Sequence, residues 1–294
     1  MDKNLIQRTL SGLVYVAVIF LCTTPFGAQL LNGISPGFVK QQYLFYGLMS
    51  FFLLAGTWEC IRIMQFGKGY EKWIVFPIVL FIFYTFSKRF FHHDFYFNFR
   101  LYEILALSLV VIAVVTLFKF SSELYFDSGK LIFTVIYVGL PFSLALGLPK
   151  FSNFDDTFTL EVFFLFLLIW SSDTFAYLTG KFFGKHKMAP KISPKKTWEG
   201  YAGGVVLTLI LSYFVELYQP QLRGNWMIVG FLIAAFAPLG DLVESQLKRN
   251  FGVKDSGNII PGHGGILDRL DSFIICVPVA VSYTHLTLPT KRIV

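Results

Sequence analysis

The segment 248–272 reads KRNFGVKDSGNIIPGHGGILDRLDS and gathers lysines, arginines, carboxylates, a histidine and several glycines between two apolar runs. Asp268 and Asp271 stand at i and i+3, so a helix projects both carboxylates side by side, with Arg269 turned away from at least one of them. Adjacent carboxylates repel each other unless a cation lies between them, and a hard cation such as Mg2+ takes oxygen ligands. Just ahead, Gly262, Gly264 and Gly265 supply a backbone that a ligand can approach closely, before a helix start that attracts anions. His263, set between glycines, is read as a hydrogen-bond donor to phosphate rather than as a base. These residue types suit the handling of phosphate groups with a divalent cation.

Upstream, PLGDLVESQLKR places Asp241, Glu244 and Lys248 at i, i+3 and i+7, on one helical face. A solvated face held by ion pairs would have the same pattern; the glycine segment that follows argues for a site. A second polar segment, GKFFGKHKMAPKISPKKTWEG at 180–200, carries six lysines. Positive-inside anchoring explains lysines alone, but Pro194 after Ser193 predicts a helix start, where lysines and free N–H groups make an anion site. Ser193, Lys195, Lys196, Thr197 and Glu199 are the candidate contacts there. Asp173, in LLIWSSDTFAYLTGK, lies inside an apolar run with Tyr177 one turn on. An acid within a membrane span marks a functional site by default, the alternative being a structural Asp bonded beside Ser172. Asp173, Asp241, Asp268 and Asp271 are expected to approach one another.

The elements that must position these groups are membrane helices. The chain of 294 residues is 55% hydrophobic and only 15% charged, with a mean hydropathy of +0.61, which is a membrane protein's composition. A span needs roughly 20 apolar residues, and about nine such windows lie near 10–31, 43–64, 73–90, 102–120, 131–148, 160–181, 201–217, 226–243 and 266–282. The windows are too long and unalternating for barrel strands, so an all-α, polytopic integral membrane protein is predicted. It divides into N-terminal spans over 1–158, a catalytic membrane region with two polar loops over 159–282, and a polar tail over 283–294 that does not look native.

Lys3 and Arg8 precede the first apolar run, which is read as an uncleaved helix because further spans follow. Lys and Arg are commoner on the side that holds the N-terminus, which places that terminus and both polar loops in the cytoplasm. The net charge of +7 fits this bias and also a polyanionic substrate, while nucleic-acid binding is not expected because the cations are not on a soluble module. Cys22, Cys60 and Cys276 lie in apolar windows without metal spacing and read as core filling. Asp268, Arg269 and Asp271 at the bilayer centre would each cost about 2.5–3.5 kcal/mol. The following apolar residues, at roughly 0.3–0.6 kcal/mol apiece, scarcely offset that. Their helix must start at the interface or line a wet cavity.

The run SQLKRNFGVKDSGNIIPGHGGILDRLD at 245–271 resembles the diagnostic motif of the phosphatidate cytidylyltransferase (CDP-diacylglycerol synthase) family, and SDTFAYLTGKFFG and KISPKKTWEG are similar to its other recurrent segments. The resemblance covers about 170–278. It implies an inner-membrane enzyme facing the cytoplasm that converts phosphatidate and CTP into CDP-diacylglycerol and pyrophosphate. It also implies a requirement for Mg2+, leaves a second cation open, and points to a homodimer among membrane lipid. On that footing Asp241, Asp268 and Asp271, together with Asp173, are expected to hold metal. Lys195, Lys196, Lys248, Arg249 and Arg269 would neutralise phosphates, and Ser193, Thr197, Gly264 and Gly265 would donate hydrogen bonds. Glu199, Glu244 and His263 join the substrate contacts, and Lys254 and Asp255 would order the loop or touch the nucleotide. The alternatives are a CTP-dependent lipid kinase of the polyprenol type and, more distantly, a transporter.

Overall fold

The computed structural model describes residues 3–34, 39–91, 99–149, 158–262 and 264–287. Helix α1 (Lys3–Thr23) meets α2 (Phe26–Ile34) at an angle of 88°, where one continuous first span was expected. Pro25, between them, has no N–H to give and breaks the ladder. Gln41 takes up the freed groups, donating to Leu21 O at 3.0 Å and accepting from Ala28 N at 2.9 Å. Thr23 and Thr24 turn their hydroxyls back onto Ile19 O and Phe20 O.

Helices α3 (Gln41–Ile63), α4 (Glu71–Phe91) and α5 (Phe99–Lys119) follow. Then α6 (Asp127–Thr134) runs through a π-turn at Val135–Gly139 into α7 (Leu140–Ala145). The second half comprises α8 (Glu161–Phe183), a hairpin of β1 (Lys187–Ala189) and β2 (Ser193–Thr197), then α9 (Trp198–Tyr218), α10 (Trp226–Asn250) and α11 (Leu267–Thr287). Among the described residues the protein is all-α apart from that hairpin and isolated bridges such as that between Ile260 and Gly264. Every expected window overlaps a helix or the bent pair. Among the described residues five spans are long and apolar enough to cross a membrane, α3, α6 with α7, α8, α9 and α10, and the α1–α2 pair makes a sixth if taken as one.

Lipid offers no hydrophobic drive between helices, so association relies on close approach of small residues. Gly200, Gly203 and Gly204 of α9 accordingly lie against Ala176, Thr179 and Ser172 of α8. α10 packs on α9 and α11, while α11 also lies against α5 and α7 of the first half. Phe273 of α11 stacks on Phe166 with centroids 4.5 Å apart and on Phe142 at 5.8 Å. Both halves therefore clamp the helix that carries Asp268 and Asp271. At its far end α11 continues into the polar tail as far as Thr287, with Thr284 buried and Tyr283 Oη accepting from Asn225 N at 3.3 Å; residues 288–294 lie outside the described residues.

Candidate active site

A cavity of about 950 Å³ opens between α1, α8, β2, α10 and α11. Its wall contains Asp173 from α8, Ser193, Lys195, Lys196 and Thr197 from β2, Asp241, Glu244 and Lys248 from α10, and Asp268, Arg269 and Asp271 from α11. Residues far apart in the chain meet here because the α9–α10 hairpin returns α10 beside the β2 segment.

Two lysines organise the acids. The ammonium of Lys196 lies 2.7 Å from Asp241 Oδ2 and donates to Pro238 O at 2.9 Å. Asp271 and Asp173 interact electrostatically with this pair and with each other, and Asp271 Oδ1 accepts from Ser272 N at 2.6 Å. The second centre is Lys248, with Nζ 2.6 Å from Asp268 Oδ1 and 3.0 Å from Glu244 Oε2. Glu244 is almost fully buried, and its Oε1 has no hydrogen-bond partner. The expected convergence of four aspartates is thus divided: Asp173, Asp241 and Asp271 gather around Lys196, whereas Asp268 belongs to Lys248.

The glycines hold the site rather than line it. Asp268 Oδ2 accepts from Gly265 N at 2.8 Å and Ser256 N at 3.1 Å. Gly264 has φ +89°, and a Cβ there would stand 2.5 Å from Asp268 Oδ2, so only glycine lets the carboxylate lie against this turn. Pro194 does not begin a helix as expected; it sits inside β2, and α9 starts after Thr197, whose Oγ1 caps it by accepting from Gly200 N at 3.2 Å. In the extended strand successive side chains take opposite faces, so Lys196 turns in to Asp241 while its neighbour Lys195 is exposed at the edge of the cavity.

Glu199 is not in the cavity wall. It accepts from Lys185 N at 3.0 Å, from His186 N and from His186 Nδ1 at 2.5 Å, tying the hairpin to α9. Arg249 is exposed and donates to Val253 O at 3.5 Å, and Lys254 and Asp255 are exposed beyond α10. His263 lies outside the described residues. Conversely, the first half supplies wall residues that its spacing did not suggest: Gly12, Tyr15 and Val16 of α1, facing Trp170. Tyr15 Oη donates to Arg269 O at 3.3 Å. In sequence Tyr15 is one aromatic among many in an apolar window, so nothing local marks it.

Among the described residues no group of three or more His, Cys, Asp or Glu side chains is arranged to hold a metal ion. The donor set nevertheless fits Mg2+. That ion is ordinarily bound through one or two carboxylates plus substrate phosphates rather than by a complete protein cage, and Asp173, Asp241 and Asp271 present carboxylate oxygens to a cavity large enough for a nucleotide triphosphate.

Residues 6–287 match the model of the cytidylyltransferase family. The chain is similar to the phosphatidate cytidylyltransferase of Bacillus subtilis, 38% identical over 60% of this chain and 65% of that protein. It is 41% identical to the protein of that name from Staphylococcus aureus, over 61% of this chain and 67% of the relative, and 39% identical to that of Staphylococcus epidermidis over the same shares. The matched stretch thus spans about two thirds of each relative's length. With a family match that runs over residues 6–287, the chain belongs to the cytidylyltransferase family.

Proposed function

We propose that this protein is a phosphatidate cytidylyltransferase of the bacterial inner membrane, acting at the cytoplasmic face. It transfers CMP from CTP to phosphatidate and yields CDP-diacylglycerol and pyrophosphate. The observation that carries this is the pairing of Lys196 with Asp241 and of Lys248 with Asp268 around one cavity, which offers cations to phosphates and carboxylates to a metal at the same place.

The phosphatidate oxygen attacks the α-phosphorus of CTP, a new P–O bond forms, and the bond to the β-phosphate breaks as pyrophosphate leaves. This oxygen is already anionic near neutral pH, so no strong base is required. The barrier is the mutual repulsion of two polyanions, and positioned cations lower it. Lys196 and Lys248 exchange part of their pairing with carboxylates for phosphate oxygens, and Lys195 and Arg269 add charge at the rim. Asp173, Asp241 and Asp271 offer the carboxylates, one or two of which would hold Mg2+, and the ion when bound would supply charge neutralisation for the triphosphate and the leaving group. Tyr15, Trp170 and Tyr177 give one side of the cavity an aromatic wall suited to the lipid portion. A homodimer rests on the family resemblance alone.

The test is incorporation of labelled CTP into chloroform-extractable lipid by purified protein, with release of pyrophosphate. Release of CDP with phosphorylation of a lipid alcohol would make the protein a lipid kinase instead, and solute movement without labelled lipid would make it a transporter.

A further inference from the structure

Glu59 lies near the end of α3, inside a helix apolar enough to span a membrane, and is fully buried. A carboxylate there is costly unless something repays its lost hydration. Three donors do, and all come from the segment that leads into α11. Oε1 accepts from Ile266 N at 3.0 Å, and Oε2 accepts from Leu267 N at 2.8 Å and from Ser256 Oγ at 3.3 Å. The first two are N–H groups at the start of α11, which have no partner within their own helix. A charge-bearing acceptor at that end also meets the positive pole of the helix.

The fit is built from both sides. A Cβ on Gly257 would stand 2.5 Å from Glu59 Oε1, and one on Gly265 would lie 2.6 Å from both carboxylate oxygens. Ser256 links the two acids: its hydroxyl donates to Glu59 and accepts from Asp268 N at 3.4 Å, while its own N–H donates to Asp268 Oδ2 at 3.1 Å.

We infer that Glu59 is a positioning residue of the active site: a carboxylate from the N-terminal membrane half grips the first turn of α11 and thereby aims Asp268 at Lys248 and Asp271 at the cavity. The inference rests on the nucleotidyl-transfer reading for its kinetic part only. Glu59 is not itself part of the cavity wall; it reaches the site through its hydrogen bonds to the start of α11 and its electrostatic interaction with Asp268.

Two arms test it. In the first, hydrogen exchange of the segment 256–272 is compared between wild type and Glu59→Gln, which keeps one acceptor and adds a misplaced donor. Protection is expected to fall in this segment while α8 and α9 stay as in wild type. In the second, kcat and the half-saturating Mg2+ concentration are measured on the folded fraction. A loss of kcat of about tenfold to a hundredfold, with a rise of at least about fivefold in half-saturating Mg2+, is expected, in line with groups that orient metal-binding residues. Ser256→Ala, a milder change outside the membrane helices, should move both readouts in the same direction by less.

Unchanged exchange in 256–272 would overturn the inference. So would a variant whose only defect is a lower yield of folded protein, with wild-type kcat and Mg2+ dependence per folded molecule. If Glu59→Gln does not fold, Ser256→Ala decides by the same criteria. Should the wild type make no labelled lipid, the nucleotidyl-transfer reading falls, and the exchange arm still decides what Glu59 does.

Discussion

Lys196 stands with its ammonium 2.7 Å from Asp241, joining β2, within the polar segment 180–200, to the middle of α10. The contact lies in the cavity wall, and the partly exposed lysine is free to turn toward an incoming phosphate. Removing the cation while keeping a similar stem, Lys196→Met, is expected to lower kcat/KM for CTP by about a hundredfold, the scale of losing one positioned charge-stabilising group. Lys196→Arg should recover part of this. Steady-state incorporation of labelled CTP measures both.

Asp271 faces Asp241 and Asp173, so like charges oppose one another in the absence of metal. Asp271→Asn keeps the shape and removes one of the charges. Activity is expected to fall by at least about a hundredfold, while thermal stability in detergent without metal stays level or rises, because repulsion is relieved. A parallel loss of stability would mean that Asp271 acts as a structural hydrogen-bond acceptor.

Among the described residues, Lys248 is the cation that pairs with both Glu244 and Asp268, and the three side chains are 11%, 1% and 13% exposed. Truncation by Lys248→Met strands two buried acids and should destabilise the fold by about 3–5 kcal/mol. Adding Glu244→Gln should recover part of that loss, which thermal denaturation of the single and double variants would measure.

Chelation separates site from scaffold. The described acids form no closed cage, and the lysine–carboxylate pairs are formed without metal. EDTA is expected to abolish labelled-lipid formation and leave the helical circular dichroism unchanged, with activity returning on addition of Mg2+. A cooperative loss of helix on chelation would assign the metal a structural role.

Gln41 bridges the break between α1 and α2 from a buried position. Gln41→Leu leaves a donor and an acceptor of the backbone unsatisfied and should cost about 1–3 kcal/mol for each group. Because α1 forms part of the cavity wall, the folded variant should also show an altered KM for the lipid substrate, read in mixed micelles.

Much of the site was legible because its parts are local. Asp268 and Asp271 at i and i+3, and Asp241, Glu244 and Lys248 along one face of α10, needed only helical periodicity. Asp173 announced itself as an acid inside an apolar window. Glu59 gives the same signal in α3, but no motif around it singles it out. The glycine spacing suggests room for a ligand, whereas in the structure Gly264 makes room for Asp268. Pro194 suggested a helix start, but pairing of β2 with β1 held it extended and delayed α9 to Trp198.

The sequence by itself determined that the chain is a set of membrane helices with phosphate-handling chemistry in its second half. Backbone groups in lipid must be satisfied within each segment, and both apolar length and residue spacing are properties of short stretches. Which lysine meets which acid, where the first helix bends and which donors Glu59 satisfies were decided only by tertiary structure. Those contacts join residues as much as 208 positions apart, and the burial that makes each pairing obligatory exists only once the helices have packed.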